Sequence, residues 1–414
     1  MARLVDVPGY TRFWTASAVS AFGSQISGLA LQILTAVTLS ASATEVGLVN
    51  AARWAPYLLF GLVAGVLVDR CRRKPVMVAM DFGRAALLGA IPLLYALDRL
   101  GIATLCACVF AFGVLCLFFD AANHSYVPQL VPRELLNAGY ARVGQADAAA
   151  GSTGPLIAGV LIRLIGAPLA VLVDAVSYLV SGLLLTSVRA HDPVPDRGAR
   201  RSLLTELREG VAWVYRHRIL ASIALTSHLM LLFNTVVSTV FVVFALRELK
   251  IGDFGLGVTY ACAGLGGVLG GAFSERVARR FDVGVTLIAG RVVAAVGWLP
   301  LVLAQSGPWA LVSVSLAFFV VSLAISVESP VEMSYRQAVT PDRLRGRMNA
   351  TIRSFNWGMV AVGAPLGGLL ADRISYRFAL WVGLSGAVLQ ALLLAGSRTR
   401  KARATDDFEP LVPA

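Results

Sequence analysis

The chain is 414 residues long, 57% hydrophobic and 14% charged, with 36 Lys and Arg against 24 Asp and Glu for a net charge of +12. Water-soluble domains carry roughly 45–50% apolar and about 25% charged residues, so this composition excludes a globule with a single core. It points to an all-α polytopic membrane protein, in which the surplus of positive charge has to be judged by its placement.

A helix needs about 20 mainly apolar residues to cross the hydrocarbon core. Residues 13–44 are one uncharged run with no cleavage-site pattern, too long for a signal peptide, so the first span is expected to stay attached. Further spans read at 46–68 around Arg53, 75–97 around Asp81 and Arg84, 100–119, 145–166 and 168–188. The polar stretch 189–218 holds seven arginines, Pro193, Pro195 and an amphipathic segment around 203–215, and reads as a linker. Beyond it lie 219–246 and 254–274, then a run at 292–327 that is too long for one span and breaks at Ser306-Gly307-Pro308. Spans at 354–371 and 378–397 complete twelve. The expected organisation is a six-helix bundle at 1–188, a cytoplasmic linker at 189–218, a second six-helix bundle at 219–397 and a cytoplasmic tail at 398–414.

The two bundles carry nearly the same text. Gly61, Gly65, Asp69, Arg70 and Arg73 recur as Gly267, Gly271, Glu275, Arg276 and Arg279, each shifted by 206 positions. Gly83-Arg84 recurs as Gly290-Arg291, shifted by 207, and Gly154-Pro155 as Ala364-Pro365, shifted by 210. Such doubling in an apolar chain predicts two pseudo-symmetric halves, an arrangement from which many transporters are built.

Placement of Lys and Arg sets the orientation. With both termini cytoplasmic, 27 of them fall on inner segments, six on outer loops and three within spans. The opposite orientation would violate the positive-inside rule more than fourfold. Basicity is therefore a matter of topology, and a nucleic-acid partner is not expected. The five cysteines lack metal-ligand spacing and the four histidines are scattered, so neither a metal nor a cofactor is expected. Gly-x-Ser-x-Gly, His-Glu-x-x-His and phosphate-loop patterns are absent, which argues against an enzyme.

The second span closes on Gly65-Val-Leu-Val-Asp69-Arg70-Cys-Arg72-Arg73-Lys74. This loop resembles the G-x-L-x-D-R-x-G-R-R/K signature of the major facilitator superfamily, with Arg72 where the family has its second glycine. The wider text is similar to the drug/proton-antiporter branch that includes macrolide-efflux and enterobactin-exporter proteins. The phrases that carry it are Pro128-Gln-Leu-Val-Pro132-Arg-Glu-Leu, Asp174-Ala-Val-Ser177-Tyr178, Arg208-Glu-Gly-Val and Leu344-Arg-Gly346-Arg347-Met-Asn349. The resemblance implies a fold of twelve transmembrane helices in two bundles. It also implies a conformational latch built from Gly65, Asp69, Arg70 and Arg73 with Arg345 and Arg347 at the eleventh helix, Gly65 allowing a neighbouring helix to approach closely. The bland alternative is that Asp69 and its arginines only fix topology. Gly154, Pro155 and Gly159 in the fifth span resemble part of the family's antiporter motif, although Ala364-Pro365-Leu-Gly367-Gly368 repeats the pattern and an ordinary packing kink is the other reading.

Ionisable groups inside a span need a partner or a task. Asp120 ends the fourth expected span and Glu328 the tenth, shifted by 208, and both are candidates for proton coupling unless they are simply solvated. A Glu332–Arg336 pair at i, i+4 accompanies the second. Asp81, three residues before Arg84, either neutralises it or carries a proton. Arg291 has no acid at the matching position, and Arg53 and Asp174 are placed to pair across their bundle. The superfamily's cavity-lining helices, one, four, seven and ten, offer Gln25, Asn123, His124, His228 and Asn234, with Ser322 and Ser326 on the tenth. His228 is the residue to test first because imidazole titrates near working pH.

The expectation is a monomeric secondary transporter in the bilayer of a bacterial cytoplasmic membrane, exchanging protons for an amphipathic small molecule such as a drug, antibiotic or siderophore. A lysophospholipid flippase or uptake symporter of the same fold, and a non-transporting receptor or scaffold, are the alternatives.

Overall fold

The computed structural model describes residues 4–132, 135–189 and 203–402. Residues 190–202 of the expected linker, most of the tail, and the side chains of Asp69 and His124 lie outside them. Fourteen α-helices follow in chain order among the described residues. The first bundle contains α1 (Tyr10–Ile33), α2 (Ala43–Asp69), α3 (Arg73–Ala96), α4 (Ile102–Leu130), α5 (Leu136–Ile165) and α6 (Ala167–Thr186). A connecting helix, α7 (Leu203–Arg216), leads to α8 (Arg218–Arg247), α9 (Gly252–Arg280), the α10–α11 pair (Val283–Gly297 and Leu299–Val302), α12 (Ala310–Ala338), α13 (Asp342–Arg373) and α14 (Tyr376–Gly396). Counting α10 and α11 as one, ten of these units are long and apolar enough to cross a membrane. The two long helices outside that criterion, α2 and α13, lie against each other, so the architecture is consistent with twelve spans.

Local chemistry accounts for the boundaries. Ser42 and Glu45 form a reciprocal capping box that starts α2. The His217 ring accepts from Leu220 N to start α8, and Ser375 caps α14. The break expected at Ser306-Gly307-Pro308 falls between Val302 and Ala310, with Gly307 at φ 147. Two expectations are corrected here. Asp120 and Glu328 do not end their helices, because α4 runs on to Leu130 and α12 to Ala338. In α12 the extension is one-sided: Val331, Glu332 and Tyr335 turn to protein while Ser329, Met333 and Gln337 are exposed, so a helix need not be apolar all round to continue.

Twelve spanning units that alternate in direction, with α10 and α11 as one and α7 as a connector, put the start of α1 and the end of α14 on one face, called here the near face. On the far face a single apolar cluster joins both bundles, from Ile33, Leu34 and Ala43 to Phe244, Leu256 and Ala379. Towards the near face one cluster around Tyr10, Phe13 and Tyr126 belongs to the first bundle and another around Val283, Tyr335 and Leu394 to the second, while Trp54, Tyr57 and Ala64 of α2 meet Trp357 of α13 between them.

Candidate functional site

Hydrogen bonds between the bundles close the far face. The Asp372 carboxylate of α13 accepts from Ala43 N at 3.1 Å and Thr44 N at 2.7 Å, the first turn of α2. Arg247, at the end of α8, donates to the carbonyls of Ala36 and Ala41 at 3.2 and 2.7 Å. Deeper in, Asn50 donates to Thr239 at 3.3 Å and Tyr260 to Gln32 at 3.4 Å. Glycines bring the backbones together: a Cβ on Gly264 of α9 would lie 2.2 Å from Ser152 Cα of α5, and one on Gly368 of α13 would lie 2.2 Å from Ala43 O. Gly159 packs on Gly257 and Gly154 on Gln25, so the antiporter-like segment of α5 is a contact surface for α9 and α1.

Towards the near face the bundles part around the cavity, while α2 and α13 stay packed at Gly61–Ser354 and Leu58–Gly358. A Cβ on Gly144, Gly151 or Gly271 would meet nothing within 4 Å. Among the described residues the same holds for Gly65 and Gly346, and the close approach of α2 to α13 is at Gly61, beside Ser354. Between the splayed helices lies a cavity of about 420 Å³ walled by α1, α5, α9 and α12. Its polar groups are Gln25, Tyr260, Ser322 and Ser326, and Ala148, Pro155, Gly264 and Val268 contribute apolar or backbone surface. This is the kind of concave, mostly apolar pocket with a few fixed polar groups that takes a small molecule.

Of the expected cavity residues, Gln25 lines this space, as do Ser322 and Ser326. His228 does not: it is held between Tyr215 Oη at 2.8 Å and Asn356 Oδ1 at 2.6 Å, tying the connecting helix to α8 and α13. Asn123 and Asn234 also lie outside the lining, and the Asn123 Oδ1 is buried without a hydrogen-bond partner. The walls expected on helices four and seven are supplied by α5 and α9. Their signal in the sequence was the glycine series Gly257, Gly264, Gly267 and Gly271.

Three clusters account for most of the buried charge. Arg84 pairs with Asp81 on its own helix and lies over the rings of Phe119 and Tyr178; Asp81 also accepts from Ser181 at 2.8 Å. Asp120 accepts from Tyr57 Oη at 2.6 Å. In the second bundle Arg291 finds two acids on α12, Glu328 at 2.8 Å and Glu332 at 3.0 Å, while Arg336 pairs with Glu332 at 2.9 Å. Glu328 is 2% exposed, so the reading of a solvated surface carboxylate does not hold for it. Its Oε2 has no hydrogen-bond partner and occupies the room left by Gly290. The expected Arg53–Asp174 pair is not formed. Asp174 is fully buried and accepts from Ser27 at 2.5 Å and Ser177 at 2.8 Å, and Arg53 lies over Trp54 and Phe112. Packing around α6 puts hydroxyls nearer than the guanidinium.

The expected latch falls partly outside the described residues, since the Asp69 side chain is not among them. Its arginine partners are visible. Arg345 donates to the carbonyls of Gln337 and Thr340 at 3.0 and 3.2 Å, and Arg347 pairs with Glu209 of α7. Trp213 donates to Thr340 at 3.1 Å, and Gly210 packs against Arg347 and Thr351. The connecting helix therefore rests on the near-face end of α13.

Residues 13–356 match the Major Facilitator Superfamily. Macrolide efflux protein A of Streptococcus pyogenes is 24% identical over 406 residues, covering 95% of this chain and 96% of the relative. The multidrug efflux pump Tap of Mycolicibacterium fortuitum is 25% identical over 343 residues, covering 80% and 81%. The nucleoside transporter NupG superposes with a TM-score of 0.73 at 12% identity, covering 94% of this chain and 98% of that one. A bacterial homologue of the iron transporter ferroportin, in an inward-facing state, gives 0.74 at 16% identity, covering 94% and 98%. At such identities the solved structures speak to the fold alone. A family match over most of the chain, with two helical bundles around a central cavity, makes this chain a multi-pass membrane transporter that belongs to the Major Facilitator Superfamily.

Proposed function

We propose that the chain exports an amphipathic small molecule across a bacterial cytoplasmic membrane in exchange for protons, working as a monomer with both termini cytoplasmic. The observation that carries this reading is the cavity between the bundles, shut on the far face and open towards the near face. If the near face is cytoplasmic, as the Lys and Arg distribution favours, this is the state in which an exporter loads. Its mostly apolar wall with a few polar groups suits an amphipathic cargo. Relatives named for macrolide and multidrug efflux support outward transport over uptake or lipid flipping.

Among the three carboxylates considered for coupling, Glu328 fits best. Asp81 is satisfied by Arg84 and Ser181 and Asp120 accepts from Tyr57, whereas one oxygen of Glu328 is buried and bare. Helix α12 carries Ser322 and Ser326 on the cavity wall and Glu328 on the face turned into its own bundle. Protonation and cargo occupancy thus act on one rigid element. Inverted membrane vesicles with an inside-acid gradient test the reading. An antiporter accumulates substrate inside them, an uptake symporter does not, and a receptor or scaffold gives no flux. Glu328→Gln is expected to keep substrate exchange and lose the response to the gradient; an unchanged response rejects Glu328.

A further inference from the structure

Among the cations that the sequence places within spans, Arg53 differs from Arg84 and Arg291, which both pair with acids. No carboxylate lies within ion-pair distance of the half-buried Arg53 among the described residues. Asp174, the partner its position suggests, is occupied by Ser27 and Ser177. The guanidinium carbon lies 5.5 Å from the ring centre of Trp54 and 5.8 Å from that of Phe112. Aromatic faces hold the cation without consuming its N–H donors.

Beside it is a second cavity, of about 30 Å³, lined by Gly28, Gln32, Thr35, Asn50 and Arg53 among valines and a leucine. One water needs roughly 10–15 Å³ by the same measure, so the space admits two oxygen-sized atoms. Thr35 spends its O–H on the Leu31 carbonyl, so the charged donor among these polar groups is the Arg53 guanidinium. Gln32 uses its carbonyl oxygen to accept from Tyr260, which leaves its amide N–H groups available. Asn50 donates to Thr239 across the bundle interface. A guanidinium fork with an adjacent amide is matched to a planar anionic oxygen pair, and it repels a cation.

The two cavities are linked through α1 and Tyr260. Gln25 walls the transport cavity, Gly28 and Gln32 follow it along α1, and Tyr260 bridges from the larger wall to Gln32. We propose that Arg53 and Gln32 form an anion-binding subsite at the far-face end of the transport cavity. It takes a carboxylate of the cargo or a free small anion. The subsite's part in transport rests on the export reading above; anion binding itself does not.

The test uses the full-length protein in lipid nanodiscs and follows indole fluorescence, because Trp54 neighbours the guanidinium and iodine quenches indole. Probes are para-iodobenzoate, its neutral isostere para-iodobenzamide, and iodide. Saturable quenching that is lost in Trp54→Phe assigns the signal to this site. The expected result is quenching by para-iodobenzoate and not by the amide, about tenfold weaker in Arg53→Gln and largely retained in Arg53→Lys. Saturable, Arg53-dependent quenching by iodide alone assigns the site to a free anion and also supports the proposal. Equal quenching by acid and amide, or binding unchanged in a well-folded Arg53→Gln, overturns it. Anion binding in a protein that gives no vesicle flux would leave the subsite standing and remove the export reading.

Discussion

Removing the Asp372 carboxylate tests what holds the far face shut. In Asp372→Ala the backbone N–H groups of Ala43 and Thr44 lose a partner that belongs to the other bundle. Hydrogen bonds to a charged group contribute about 1.5–3 kcal/mol when well shielded. Asp372 is exposed and α2 already has its own capping box, so the smaller range for helix capping, about 0.5–2 kcal/mol, is the fair guide. Taking about 1 kcal/mol, the ratio of far-closed to far-open protein falls about fivefold. A cysteine at Thr239, buried at the closed interface beside Asn50, reports that opening in a chain whose five native cysteines have been replaced. A membrane-impermeant maleimide applied from the far face is expected to label Thr239→Cys about fivefold faster when Asp372→Ala is present. Equal rates would refute the reasoning that this carboxylate stabilises the closed far face.

Gly264→Ala places a methyl group 2.2 Å from Ser152 Cα, so α5 and α9 must separate and substrate efflux by vesicles should fall while the folded yield persists. Arg291→Ala leaves Glu328 without its cation and Glu332 with Arg336 alone, a loss of about 3–5 kcal/mol that should appear as a lower melting temperature in detergent. His228→Ala is expected to loosen α7 from α8 and α13, read as faster proteolysis of the connecting segment, with the pH profile of transport unchanged. Asp69→Asn should leave the protein folded and slow transport; an unchanged rate ends the latch idea.

Much of the fold was legible because a membrane helix is a long compositional signal and because the two halves repeat one text. The break at Ser306-Gly307-Pro308 announced itself through residues that cannot continue a helix. The repeat also placed Arg291 opposite Arg84 and Glu328 opposite Asp120. It did not show that Arg291 would bind Glu328 and Glu332 while Arg84 keeps Asp81, because pairing depends on helix rotation, which one residue's difference in spacing alters. The Arg53–Asp174 expectation failed for the same reason: two charges at similar depth met different neighbours. Helix ends were underestimated at α4 and α12, where the helix continues into residues too polar for an apolar span, in α12 with one side buried and the other exposed. Cavity walls on α5 and α9 were missed because they are built from glycine, alanine and proline, and a search for polar candidates passes over residues whose contribution is to leave space.

Spin-label distances between the two bundles, one pair on each face, test the central claim most directly. Asp98→Cys with Ser306→Cys reports the far face, and Tyr140→Cys with Glu275→Cys the near face. With transported substrate and a proton gradient present, a far-face distance that lengthens as the near-face distance shortens is the predicted result. Two distances that stay fixed, or that move in the same direction, would contradict alternating access around this cavity.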